Sequence, residues 1–190
     1  MASASVPGSS TQRPPWEAIV AVAAVVSLAL WPVEIREAFG LPAHPLIIHV
    51  PVVFVPILGL AVLALAFNAR WFDRFGVLVA AFSVVTLAAT LLAVGAGEAF
   101  RKERLRDFPE LVNDPTLHDH ADAGITVRLA MVILTALVVG MLFAKRAPTA
   151  VRIALRVLAV LFALTAIVFV IRTGHLGAKL AWGDDQLRVR

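Results

Sequence analysis

Cysteine and tyrosine are both absent from the 190-residue chain. The first absence excludes disulfides, thiolate zinc sites, iron–sulfur clusters and thioether-linked haem. The second removes tyrosyl chemistry. Charge is scarce: Asp, Glu, Lys and Arg make up 16% of the residues, against roughly 25% in a soluble domain. No phosphate-binding glycine loop, H-E-x-x-H or G-x-S-x-G string occurs. Apolar residues fill the chain instead, at 60%, with a mean hydropathy of +0.87. This composition excludes an ordinary soluble globule and a disordered chain. It predicts a membrane protein with one small domain. The formal charge of +4 reads as loop Lys and Arg of a polytopic protein, with no nucleic-acid footprint.

Four long apolar segments carry that prediction: residues 46–67, 77–96, 125–144 and 150–171. Each has 20 to 22 residues, which matches a hydrocarbon core of about 30 Å at about 1.5 Å per helical residue. Helices satisfy their own backbone groups in lipid, so the spans are helical. A shorter apolar stretch, 18–33, reads as an extra membrane helix anchored by Trp16. Its weakly basic flank and the lack of a small-residue cleavage site argue against a signal peptide. The expected fold is all-α: a polytopic transmembrane bundle of four core helices plus an extra N-terminal helix. The chain divides into a tail at 1–15, an extra helix and linker at 16–40, a four-helix domain at 41–183 and a C-terminal tail at 184–190. Residues 98–124 read as the longest loop. Pro51 and Pro56 fall inside the first core segment and should leave the carbonyls of Ile47 and Val52 without their usual helical partners.

Topology sorts the charges. One side takes the N-terminus and the loops at 68–76 and 145–149. It collects 7 Lys and Arg and 2 acids. The other side collects 10 Lys and Arg and 11 acids. The first side's loops are short and densely basic, which places them in the cytoplasm of a plasma (inner) membrane.

All five histidines, His44, His49, His118, His120 and His175, fall at the other, outward end, as does Glu98. Each core segment thus brings an imidazole or a carboxylate to one membrane face. His49 lies within an apolar run, where an ionisable residue is a functional hypothesis by default. Two imidazoles from different helices can hold a haem iron from both faces, and Arg128 and Arg172 stand near enough to pair with its propionates. The alternative is a transition-metal ion (zinc, copper or iron) on His49, His120, His175 and Glu98. A third reading has no cofactor: the histidines pack within a structural subunit of a larger membrane complex.

The same residues lie in strings that resemble a known family. LPAHPLIIHVPVVFVP at 41–56 resembles the HPLxVH motif of bacterial membrane proteins of the domain-of-unknown-function 2231 family. HADAG at 120–124 is similar to its H-A-x-x-G motif, RTGHLGAKLAWG at 172–183 to its closing G-H-x-G-A-K-x-x-W-G motif, and GAGE, ending at Glu98, to its G-E pair. The resemblance implies a four-helix membrane core and singles out His44, His49, Glu98, His120 and His175. His118 has no clear counterpart. The expected function is cofactor binding at the outer membrane face, with haem b serving electron transfer to a quinone or a redox partner protein. His49, His120 and His175 are the principal ligand candidates, with His44 next. This is a cofactor-binding role more than that of a stand-alone enzyme.

Overall fold

A computed structural model describes residues 15–183. The predicted tails therefore lie outside the described residues, except for Pro15. Helix α1 covers Trp16–Ser27 and continues as a 3-10 turn, Leu28–Leu30. A two-residue hairpin follows, with β1 (Glu37–Ala38) antiparallel to β2 (Leu41–Pro42). Its turn residues, Phe39 and Gly40, both have positive φ, as a tight hairpin turn requires. Helices α2 (Ala43–Ile47), α3 (His49–Phe67), α4 (Ala69–Asp107), α5 (Pro115–Phe143) and α6 (Thr149–Trp182) complete the chain. Four helical stretches, Ala43–Phe67, Ala69–Asp107, Pro115–Arg146 and Thr149–Trp182, are long and apolar enough to cross a membrane.

Local chemistry sets the boundaries. The break between α2 and α3 falls just past Ile47, the residue whose carbonyl loses its amide partner to Pro51. Pro56 lies inside α3 without ending it. Asn68 caps α4 by accepting the amides of Arg70 and Trp71. Asp114 does the same for α5 from Thr116 and Leu117, with Pro115 in the first helical position.

Residues 98–124 are not a loop, as the polar sequence there suggests. Helix α4 runs on to Asp107, a 3-10 turn occupies Pro109–Asn113, and α5 begins at Pro115. Likewise α6 continues to Trp182 instead of ending near residue 171, and α4 begins at Ala69, within the expected 68–76 loop. Hydropathy marks where lipid ends; hydrogen bonding lets a helix continue into water. With 39 residues, α4 is about 58 Å long, well beyond the hydrocarbon thickness.

Helices α3, α4, α5 and α6 pack in a closed ring, each against its neighbours in sequence and α6 back against α3. The short connections make them antiparallel neighbours. Lipid tails are as apolar as leucine, so the hydrophobic effect does not drive helices together in a bilayer. Close backbone approach does. Small residues accordingly stand among the larger buried side chains, which include Leu58, Leu87, Leu91, Met131 and Leu134. Ala159, Ala163 and Ala166 form a fully buried stripe on α6, and Ser83, Thr86 and Thr90 line α4. Each of those three hydroxyls donates to a carbonyl one turn back, and Thr135 of α5 donates to the Ser83 carbonyl across the interface at 3.3 Å.

Helix α1 lies outside the ring, against α4 and α5. Glu17 pairs with Lys145 at 3.7 Å. At the far end the Arg128 guanidinium lies 4.2 Å from the centre of the Trp31 ring, and Lys102 bonds Glu34. Residues 17–34 thus connect the two ends of the bundle. The helix plus its 3-10 turn has 15 residues, about 22 Å, which is shorter than the four spans.

Candidate functional site

Two histidines point into the bundle at one end, and the other three do not. His44, in α2, is half-buried, and its Nδ1 lies 3.0 Å from the Ala93 carbonyl oxygen of α4. His120, in the second turn of α5, is half-buried, and its Nδ1 lies 3.0 Å from the Thr173 carbonyl oxygen of α6. A carbonyl oxygen only accepts, so Nδ1 carries the proton and donates in both rings. In the neutral imidazole that leaves the Nε2 lone pair for another partner.

The surroundings of the two rings repeat. A Cβ placed on Gly97 would stand 2.9 Å from His44 Cε1, and one on Gly177 would stand 3.1 Å from His120 Cε1. Gly97 is four residues beyond Ala93, and Gly177 four beyond Thr173. In a helix the carbonyl of residue i lies against residue i+4. Each imidazole therefore bonds a carbonyl and rests on the glycine beneath it. The device occurs once on α4 and once on α6, which face each other across the ring, so the two halves of the bundle contribute equivalently. The two ring centres are 6.1 Å apart and their planes are 84° apart. Phe100 lies nearly parallel to His44, at 20° and 6.2 Å.

The other candidates lie elsewhere. His49 is exposed, with Nδ1 3.3 Å from the Leu46 carbonyl of its own chain turn. Five residues separate it from His44, about 140° around a helix, so burying one turns the other outward. His175 is exposed as well. It lies two residues from both Thr173 and Gly177 and so occupies the opposite face of α6. His118 is exposed, with Nε2 2.7 Å from the Val112 carbonyl, and ties the start of α5 to the preceding turn. Glu98 is half-buried and forms no ion pair among the described residues. Among the described residues, no three His, Asp or Glu side chains come together as a group able to hold a metal ion. His49, His120, His175 and Glu98 are therefore not gathered at one point.

The two arginines expected to serve propionates are otherwise engaged. Arg128 stacks on Trp31, and its buried Nε has no hydrogen-bond partner. Arg172 is exposed and lies 3.5 Å from Asp119. Arg101, which in the sequence reads as part of a solvated basic cluster, has a buried and unpartnered Nε. It stands one turn beyond Gly97, on the same face of α4. Sequence reasoning also missed Gly97 and Gly177 as the seats of the two rings. The signal was their place in the GAGE and GHLG strings.

A family model described as "Predicted membrane protein (DUF2231)" matches residues 40–188. No match to this chain was found among curated proteins or among solved structures.

Proposed function

The chain belongs to the DUF2231 family of predicted membrane proteins, and from that premise we propose that His44 and His120 are the paired ligands of one redox cofactor, haem b, in an electron-transfer protein. The 6.1 Å between ring centres carries this reading. His44 and His120 would hold the metal through their Nε2 atoms, which the Nδ1–carbonyl bonds leave free.

The donor set supports haem over a bare ion. A structural zinc site takes four protein ligands, and the end of the bundle converges two. A porphyrin supplies its own four nitrogens and needs only the axial pair. The Nδ1–carbonyl bonds hold each ring in the tautomer that ligation requires, and Gly97 and Gly177 let the rings seat directly on the helix surfaces. When bound, haem would supply one-electron chemistry. With two imidazoles as its protein ligands, haem would serve electron transfer better than oxygen activation. The site's place at one end of the spans suits exchange with a lipid-soluble quinone or a partner redox protein.

A second reading rests on the same two hydrogen bonds. They tie α2 to α4 and α5 to α6 without any cofactor, and suit a structural subunit of a membrane complex. A reduced-minus-oxidised visible spectrum separates the two. The full chain is expressed with added haem precursor and purified in detergent. The cofactor reading expects a b-type alpha band that falls about tenfold or more in His44→Ala and in His120→Ala, and persists in His49→Ala and His175→Ala. A flat wild-type spectrum, or full haem in both inner variants, overturns it in favour of the structural role.

A further inference from the structure

At the end of the bundle opposite the histidines, residues of α4, α5 and α6 line an open cleft of about 120 Å³. Its apolar lining comes from Phe72, Met141 and Leu155. Its charged lining comes from Lys145, Arg152 and Arg156, with Asp73 as the one acid. Arg152 lies about 32 Å along α6 from Thr173, so the cleft is remote from the imidazole pair.

The charges here are unfavourable as they stand. Arg152 and Arg156 are four residues apart and share one face of α6, a spacing at which like charges destabilise a helix. Arg152 is in the first turn of α6, where the helix dipole disfavours a cation, and Arg156 follows one turn further in. Neither forms an ion pair among the described residues, and neither does Asp73. Lys145 is engaged by Glu17. Two unpaired guanidiniums therefore converge on a cleft with an apolar floor. Guanidinium binds phosphate through parallel hydrogen bonds, more strongly than neutral donors do.

We propose that this cleft binds a phosphate oxyanion, carried by the headgroup of an anionic phospholipid. The two arginines take the phosphate, and Phe72, Met141 and Leu155 meet the glycerol and upper acyl carbons. The anion relieves the repulsion between the arginines, and its site lies at the level where the apolar spans end.

Native mass spectrometry of the full chain in detergent tests the proposal, with phosphatidylglycerol and phosphatidylcholine offered in equal amounts. Wild type is expected to retain phosphatidylglycerol about tenfold more than phosphatidylcholine. The Arg152→Gln/Arg156→Gln variant should lose that preference. Arg106→Gln, at the other end of the bundle, should keep it. Arg156→Lys keeps the charge without the fork and should show an intermediate preference. Circular dichroism establishes that each variant is folded. A parallel arm adds inorganic phosphate against chloride at matched ionic strength. Displacement of phosphatidylglycerol by inorganic phosphate, lost in the double variant, would also support the oxyanion site and identify free phosphate as an occupant. The proposal is overturned if the folded double variant keeps the wild-type preference. It is also overturned if wild type neither prefers phosphatidylglycerol nor responds to inorganic phosphate.

Discussion

A methyl group added at Gly97 would stand 2.9 Å from His44 Cε1, closer than side chains tolerate. The ring would have to shift, and its Nδ1 would leave the Ala93 carbonyl. At Gly177 the corresponding distance to His120 is 3.1 Å, a milder conflict. Gly124 and Gly174 have nothing within 4 Å of an added Cβ. Overpacking a tight contact costs about 1–3 kcal/mol, whereas Gly→Ala in an open helical position costs nothing and can gain up to about 1 kcal/mol. Thermal unfolding in detergent should therefore rank Gly97→Ala as the most destabilised, Gly177→Ala next, and Gly174→Ala as neutral or slightly stabilised. Equal behaviour of Gly97→Ala and Gly174→Ala would contradict the seating of His44 on α4.

The N-terminal helix is an element whose far end is held by one close approach of backbones. A Cβ on Gly95 would collide with the Val33 carbonyl, which is backbone and cannot rotate away. Around it, Trp31 stacks on Arg128 and Glu34 bonds Lys102. Gly95→Val should therefore release the α1–hairpin segment while the four-helix ring, which makes its own contacts, stays assembled. Limited proteolysis reads this directly. New cleavage within residues 31–42, with helicity nearly unchanged, is the expected result. Unchanged resistance to protease would mean that the segment is held by lipid and not by α4.

For the whole molecule, charge sets direction. Arg70, Arg74, Lys145, Arg146, Arg152 and Arg156 cluster at the cleft end, in and beside the short α3–α4 and α5–α6 connections, and the positive-inside rule predicts that such an end faces the cytoplasm. The absence of cysteine makes the test simple. In whole cells, a membrane-impermeant maleimide should label Asn113→Cys, on the histidine side, and leave Thr149→Cys unlabelled until the cells are opened. The reverse pattern would place the imidazole pair on the cytoplasmic side.

The sequence by itself determined the four core spans, their apolar character and the end at which the histidines fall. These follow from length and hydropathy, which are properties of contiguous residues. Only the tertiary structure decided which histidines meet. In a bilayer both faces of a helix can be apolar, so the pattern along α3 or α6 does not announce which face turns inward. His49 was conspicuous because apolar residues surround it in sequence, yet it is exposed. His44 was ranked below it and is one of the two that point inward. The polar stretch at 98–124 concealed a helical continuation for a related reason: polarity reports contact with water, while backbone hydrogen bonding decides helicity. The seats at Gly97 and Gly177, and the cleft that gathers Lys145, Arg152 and Arg156, bring together residues from separate helices. Such sites come into being only when packing sets each helix's rotation about its own axis.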